Sequence, residues 1–146
     1  MKQKIAEILH SYKKKRHTGK KLTPSAVLIP LFCHEGQLHI LFTKRSGQVN
    51  FHKGQVCFPG GTCQQDDNSL LGAALREASE EIDLNAEEVE ILGELDDAVT
   101  LGTGYLISPF VAFIPYPYPF KANHKEVEEI FSVPLSVFLE DKVNFR

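Results

Sequence analysis

Cysteine is scarce and scattered in this chain. Cys33, Cys57 and Cys63 are odd in number and contain no CxxC pair, which argues against a disulfide framework or a zinc site and fits a reducing compartment. Long hydrophobic runs are missing as well. The longest, AVLIPLFC at 26–33, falls far short of the roughly 20 residues that span a bilayer, and the polar N-terminus lacks the apolar core of a secretion signal. A cytoplasmic location is therefore expected. No charge of one sign dominates: the formal net charge of −3 gives no global attraction for nucleic acid, so a polyanionic ligand must be held by local charges or by metal. Internal repeats and long linkers are absent. The basic run KKKR at 13–16 is expected on the solvated face of an N-terminal helix, with phosphate contact as the alternative.

What remains is ordinary globular composition, 42% hydrophobic and 24% charged over 146 residues, enough for one domain with a real core. After the N-terminal helix, TPSAVLIPLF reads as a buried strand, and QLHILFTKR reads as its partner with Leu38, Ile40 and Phe42 pointing inward. HEGQ at 34–37 supplies the hairpin turn between them. Residues 46–69 hold four glycines and a proline among polar residues, and loops of that length in compact domains are usually functional. A helix is expected from an N-cap at Ser69 to Ile82, with Leu71, Leu75, Ala78 and Ile82 as its buried stripe. Strands follow at VEILGEL and YLISPFVAFI, PYPYPF at 115–120 is extended and non-helical, and VEEIFSVPLSVFLED reads as a last strand running into a short helix. Strands mixed with two or three helices suggest an α/β sandwich.

The helix at 69–82 crowds Glu77, Glu80 and Glu81 onto positions opposite or beside its apolar stripe. Carboxylates three and four residues apart lie about 5–6 Å from one another and cost a few tenths of a kcal/mol per pair when solvated. No lysine stands at the relieving positions, and Arg76 reaches only Glu80 at i+4. One reading is a solvated acidic face. The other is a site for a hard divalent cation, which prefers carboxylates, waters and the phosphate oxygens of a substrate. The preceding FPGG favours the second, since Gly60 and Gly61 permit the close approach that aims a carbonyl at a cation.

GG followed by REASEE resembles the Nudix box, G-x5-E-x7-R-E-U-x-E-E-x-G-U with U aliphatic. Arg76 to Leu84 fits every defined position except Asp83, where that family has glycine. Counted from Gly61, the family's first glutamate falls at Asp67, and eight rather than seven residues then precede Arg76, so the loop carries one extra residue. LFTKRSGQVNFHKGQVCFPGG, followed by Asp67 and ALREASEE, is similar to the extended signature of the coenzyme A diphosphatase branch. Thr43, Arg45, Ser46, His52, Gly54, Gln55, Val56, Phe58, Pro59, Gly60, Gly61 and Asp67 stand where that signature wants them, whereas Gln64 replaces its usual aspartate. TGYLISPFVAFI and NHKEVEEIFSVPLSVFLED also resemble stretches of that branch, so the likeness covers 26–140.

The resemblance implies a Nudix-type α/β/α sandwich with a mixed central sheet, a single hydrolase domain over 1–146, and an incomplete C-terminus, since relatives continue further. It implies metal-dependent hydrolysis of the diphosphate bond of coenzyme A or a derivative, giving 3′,5′-ADP and 4′-phosphopantetheine. The alternatives are another nucleoside diphosphate derivative as substrate, or a non-catalytic nucleotide-binding module. By the same resemblance Glu80 and Glu81 hold Mg²⁺ or Mn²⁺, helped by Glu77 and by a carbonyl of Gly60 or Gly61, and Arg76 orients the carboxylates. Glu126 and Glu129 are the candidates for general base, with solvated surface positions as the alternative. Arg45, His52, Lys53, Gln55 and Tyr105 form the candidate substrate-binding set, with a structural role as the alternative for His52 and shaping of the loop for Gln55; Tyr105, Tyr116 and Tyr118 could stack on adenine, with core packing or loop rigidity as the alternative for each. The partner expected is a small molecule, coenzyme A or a related nucleotide, with no nucleic acid and no membrane; a homodimer is the one assembly considered.

Overall fold

A computed structural model describes residues 1–14, 21–47, 54–100 and 104–139. Among these residues one mixed sheet of eight strands is flanked by helices on both faces. β1 (Thr23–His34) and β2 (Gln37–Arg45) form the expected hairpin, turned at Glu35 and Gly36, both at positive φ. β1 then runs parallel to β7 (Tyr105–Phe113), in register from Thr23 opposite Tyr105 to Leu31 opposite Phe113. β5 (Glu90–Glu94) pairs antiparallel with β7 and ends the sheet on that side; β8 (Val127–Pro134) pairs with β2 on the other. PYPYPF after β7 is non-helical as the sequence indicates, but it is irregular rather than extended, with a bend at the cis Tyr116–Pro117 bond; β8 leads into the short helix α3 (Ser136–Leu139), as expected. No helix among the described residues is long and apolar enough to cross a membrane.

Helix α2 (Leu70–Ile82) starts at Ser69, whose hydroxyl accepts the Gly72 N–H at 2.9 Å, a cap that satisfies one of the orphan donors of the first turn. Its buried side keeps half of the expected stripe and shifts the rest. Ala73, Ala74, Ala78 and Ile82 are buried, while Leu71 and Leu75 are half-buried on its flanks. Small side chains let the helix lie close to the sheet, against Leu28, Phe32, Leu41, Phe110 and Ala112. Burying those chains from water supplies about 25 cal/mol per Å² of apolar area.

Two other expectations shift for the same reason, cover on both sides of the sheet. In β2 the buried residues are Leu38, Leu41 and Thr43, because Leu41 faces α2; Ile40 is half-buried toward the first helix, and Phe42 stacks at 5.0 Å on Phe58. That first helix, α1 (Lys2–Ser11), packs Ile5, Ala6 and Leu9 against Leu31, Leu92 and Val111 on the second face. It stops before the basic run: Tyr12 turns extended at ψ 130°, and Lys14 does not extend a solvated helix face but is buried in an ion pair. Lys15 and Arg16 lie outside the described residues.

The segment 46–69 contains more order than a loop. β3 (Val56–Cys57) pairs with β2, and β4 (Gly60–Thr62) pairs with β1, Gly60 opposite Val27. β4 brings the two glycines under α2.

Candidate active site

Three short stretches meet beneath α2. The first is β4. A Cβ on Gly60 would collide with the carbonyl oxygen of Ala26 in β1, and one on Gly61 with the carboxylate of Glu77. Only glycine permits both approaches. The second is the inner turn of α2. Glu81 is 6% exposed and accepts the Gly60 N–H through Oε1 at 3.3 Å, and Glu77 is half-buried beside it. The third is the turn before β8, held against the end of α2 by main-chain bonds. Lys121 N donates to Ile82 O at 3.1 Å and Asn123 N to Glu81 O at 2.9 Å. The Asn123 carbonyl then accepts Glu126 N at 2.9 Å and Val127 N at 2.8 Å.

These constraints bring carboxylate oxygens of Glu77, Glu81 and Glu126 within 4.8 Å of one another. Carboxylates so close and so poorly hydrated favour their protonated forms, and the effect is resolved at Glu81 and Glu77. Burial first, and then the neighbouring Glu77, push the Glu81 carboxyl up to about 8; the Gly60 N–H and Arg45 pull against the shift without cancelling it. Glu77 is raised as well, chiefly by burial, with Arg76 opposing.

Arg76 ties the set together. Its Nε and Nη2 meet Asp67 Oδ1 and Oδ2 at 2.8 and 3.1 Å, a bidentate pair, and Nη2 also donates to Thr62 O at 3.1 Å. Nη1 reaches Glu80 Oε2 at 2.9 Å and Glu77 Oε2 at 3.3 Å. The side chain of Asp67 is 5% exposed and also accepts Gln64 N–H; the Arg76 guanidinium holds its carboxyl below the usual range. The helix thus rests on the glycine loop through one guanidinium. Arg76→Lys, which keeps the charge but loses the fork, is expected to destabilise the protein by about 1–3 kcal/mol, read from denaturant melts; stability equal to the parent would show that the fork is not needed. Past Glu81 the helix ends at Asp83 with φ 60°, a left-handed residue where the motif has glycine.

The residues singled out in the sequence fall into distinct places. Arg45, Gln55, Gly60, Gly61 and Tyr105 line one cleft of about 290 Å³. The Gln55 carbonyl accepts the Arg45 N–H at 2.8 Å. Glu80 stands outside the triad, on the exposed side of Arg76. Glu129 lies within β8 rather than before it, exposed and opposite Lys44 in the ladder. Tyr116 stacks on Phe32 at 4.2 Å. Tyr118 accepts Asn85 N–H at 2.9 Å and donates to Glu88 at 2.8 Å, so its ring belongs to packing. His52 and Lys53 lie outside the described residues. Val27, Thr100 and Ile107 also line the cleft and carried no sequence signal beyond strand patterning. A larger groove of about 730 Å³ runs along the outer side of α2 past Gly72, Ser79 and Glu87, and no carboxylate of the triad lines it.

The NUDIX domain family model matches residues 22–144, and the chain belongs to that family. Over 111 residues it is 41% identical to the uncharacterized Nudix hydrolase NudL of Yersinia pestis (strain Pestoides F), an alignment that covers 76% of this chain and 55% of that protein. The same figures hold for NudL of Yersinia pseudotuberculosis serotype O:1b (strain IP 31758). The chain spans about half the length of the curated relatives it matches. Among solved structures, a C. elegans Ap4A hydrolase in binary complex superposes with a TM-score of 0.66 at 19% identity, over 81% of this chain and 84% of that one. The NUDIX domain of Shewanella oneidensis NrtR, complexed with ADP ribose, gives 0.65 at 21% identity, over 92% and 85%. At such identities the likeness establishes the fold.

Proposed function

We propose that the chain hydrolyses the diphosphate bond of coenzyme A or a close derivative, releasing 3′,5′-ADP and a 4′-phosphopantetheine product with the help of Mg²⁺ or Mn²⁺. The observation that carries the metal is the triad itself: three carboxylates from two parts of the chain, Glu81 buried and Glu77 and Glu126 half-buried, with the Glu81 pKa raised to about 8. Such a donor set suits a hard divalent cation, which takes oxygen ligands. Glu77 and Glu81 would hold it, with a carbonyl of Gly60 or Gly61 beside them and Glu80 added by the motif. The ion would supply neutralisation of phosphate charge and acidification of a water.

The remaining work falls to the chain. Arg45, Gln55 and Tyr105 line the cleft that opens at the same two glycines, so a diphosphate lying over Gly60 and Gly61 would meet the Arg45 guanidinium. Glu126, which joins the triad from a different element, is the proposed acceptor of the water proton in preference to Glu129. The choice of coenzyme A among diphosphates rests on the flanking signature from Thr43 to Asp67 and not on the cleft.

Incubation with coenzyme A, ADP-ribose and nucleoside triphosphates, with products identified by mass spectrometry, tests the substrate. Phosphopantetheine release supports this reading; cleavage of only the others transfers the site to another diphosphate, and binding without turnover in Mn²⁺ makes the chain a nucleotide-binding module. EDTA is expected to abolish hydrolysis and Mg²⁺ or Mn²⁺ to restore it, so persistence in chelator would rule the metal out. Glu80→Gln is expected to lower kcat by orders of magnitude; an unaltered rate would confine the ligands to the triad.

A further inference from the structure

The N-terminal segment crosses the end strand β5 and grips the turn after it. Leu9 of α1 seats on Gly93, where any Cβ would collide with it. The Tyr12 hydroxyl donates to Asp96 at 2.6 Å. Lys14 Nζ meets Asp97 Oδ1 at 2.7 Å, and these two side chains are only 8% and 6% exposed. Asp97 also accepts the Ser108 hydroxyl at 2.9 Å. A buried pair recovers its desolvation cost only in good geometry, which makes it a better device for fixing an arrangement than for adding stability.

What it fixes is the start of β6 (Ala98–Val99), a two-residue strand on β7 opposite Ile107 and Leu106. So short a ladder holds little by itself. Immediately after it, Thr100 N donates to Tyr105 O at 3.0 Å and its hydroxyl accepts Tyr105 N–H at 3.0 Å. Thr100, Tyr105 and Ile107 line the same cleft as Gly60 and Gly61.

We propose that Lys14 is a positioning residue for substrate: by pinning Asp97 from outside the sheet, it sets the positions of Thr100 and Tyr105 in the cleft lining. It touches neither the triad nor the cleft. The consequence for substrate rests on the hydrolase reading above; the consequence for the hairpin does not.

Amide hydrogen exchange and steady-state kinetics on the full chain test it together. Lys14→Met is expected to speed exchange at 98–100 and 104–107 by roughly tenfold or more, while α2 keeps its parental rates. The KM for coenzyme A with Mg²⁺ should rise roughly tenfold, with kcat changed by less than about twofold. Lys14→Arg, which keeps the charge, should restore both. If Lys14→Met does not fold, the double variant Lys14→Met with Asp97→Asn, which removes both charges of the buried pair and leaves only the 35% exposed Glu94 without its 3.4 Å contact to Lys14, should show the same faster exchange. Parental exchange at 98–100 and 104–107 in whichever variant folds would overturn the proposal and reduce Lys14 to an anchor. If the parent cleaves none of the nucleotides, the hydrolase reading falls and exchange alone decides the role of Lys14.

Discussion

Glu81→Gln is expected to lower kcat by at least roughly 10²–10³-fold, the loss typical of removing one preorganised electrostatic group, and at the same time to stabilise the metal-free protein at neutral and alkaline pH. The two effects have one origin. The Glu81 carboxyl is held near 8 against an ordinary 4.5, mainly by burial and by Glu77. Between those values the native chain keeps a proton that the unfolded chain has released, so stability falls as pH rises through about 4.5 to 8 and levels off above. The loss is on the order of a few kcal/mol. Glutamine keeps the shape and the oxygen that accepts the Gly60 N–H but cannot ionise, so its stability should lack that slope. A divalent ion favours the deprotonated form and should stabilise the parent more at pH 8 than at pH 6. Thermal melts of both proteins from pH 5 to 9, in EDTA and again with Mn²⁺, measure both effects. Parallel curves would mean that Glu81 ionises freely, and the site would lose its physical basis.

The second large effect separates two adjacent glycines. Gly61→Ala is expected to reduce kcat by about 10²-fold or more with little loss of stability, because its methyl group meets the Glu77 carboxylate, the end of a side chain that can swing away. Swinging away breaks the triad. Gly60→Ala meets the Ala26 carbonyl oxygen and the Val27 main chain in β1, which cannot yield without disturbing the sheet. Overpacking of that kind costs about 1–3 kcal/mol and sometimes more, so this variant should unfold at lower denaturant. Parallel circular-dichroism melts and rate measurements distinguish the two. A fully active Gly61→Ala would show that Glu77 is not held where the chemistry occurs.

Much of this was readable in the chain before folding. The Ser69 cap, the end of α2 at Ile82, the 35–36 turn and the non-helical PYPYPF follow from local chemistry: a hydroxyl at an N-cap, glycine at positive φ, proline without an N–H. The mixed sheet and the family followed from the resemblance of GG…REASEE and its flanks to the Nudix pattern. Where the reading failed, the cause was tertiary. Helical periodicity places Glu81 beside an apolar stripe but cannot say that alanines draw the helix down until Glu81 is buried with Gly60. Nor can it separate Glu80, held at the surface by Arg76, from two glutamates one turn and one residue away that face inward. Glu126 was legible as a candidate only because the family resemblance drew attention to its segment; its approach to Glu77 and Glu81 depends on main-chain bonds from Lys121 and Asn123 to the last carbonyls of α2. Lys14 looked like one more solvated lysine, and its burial arises because α1 stops early enough for the next residues to round the edge of the sheet.

The most direct test is an anomalous difference map from a crystal soaked in Mn²⁺. The account predicts a peak bonded to carboxylate oxygens of Glu77 and Glu81, beneath Gly60 and Gly61 and within reach of Glu126, and its disappearance in Glu81→Gln. A triad without manganese at saturating concentration, or manganese bound only elsewhere on the surface, would contradict it.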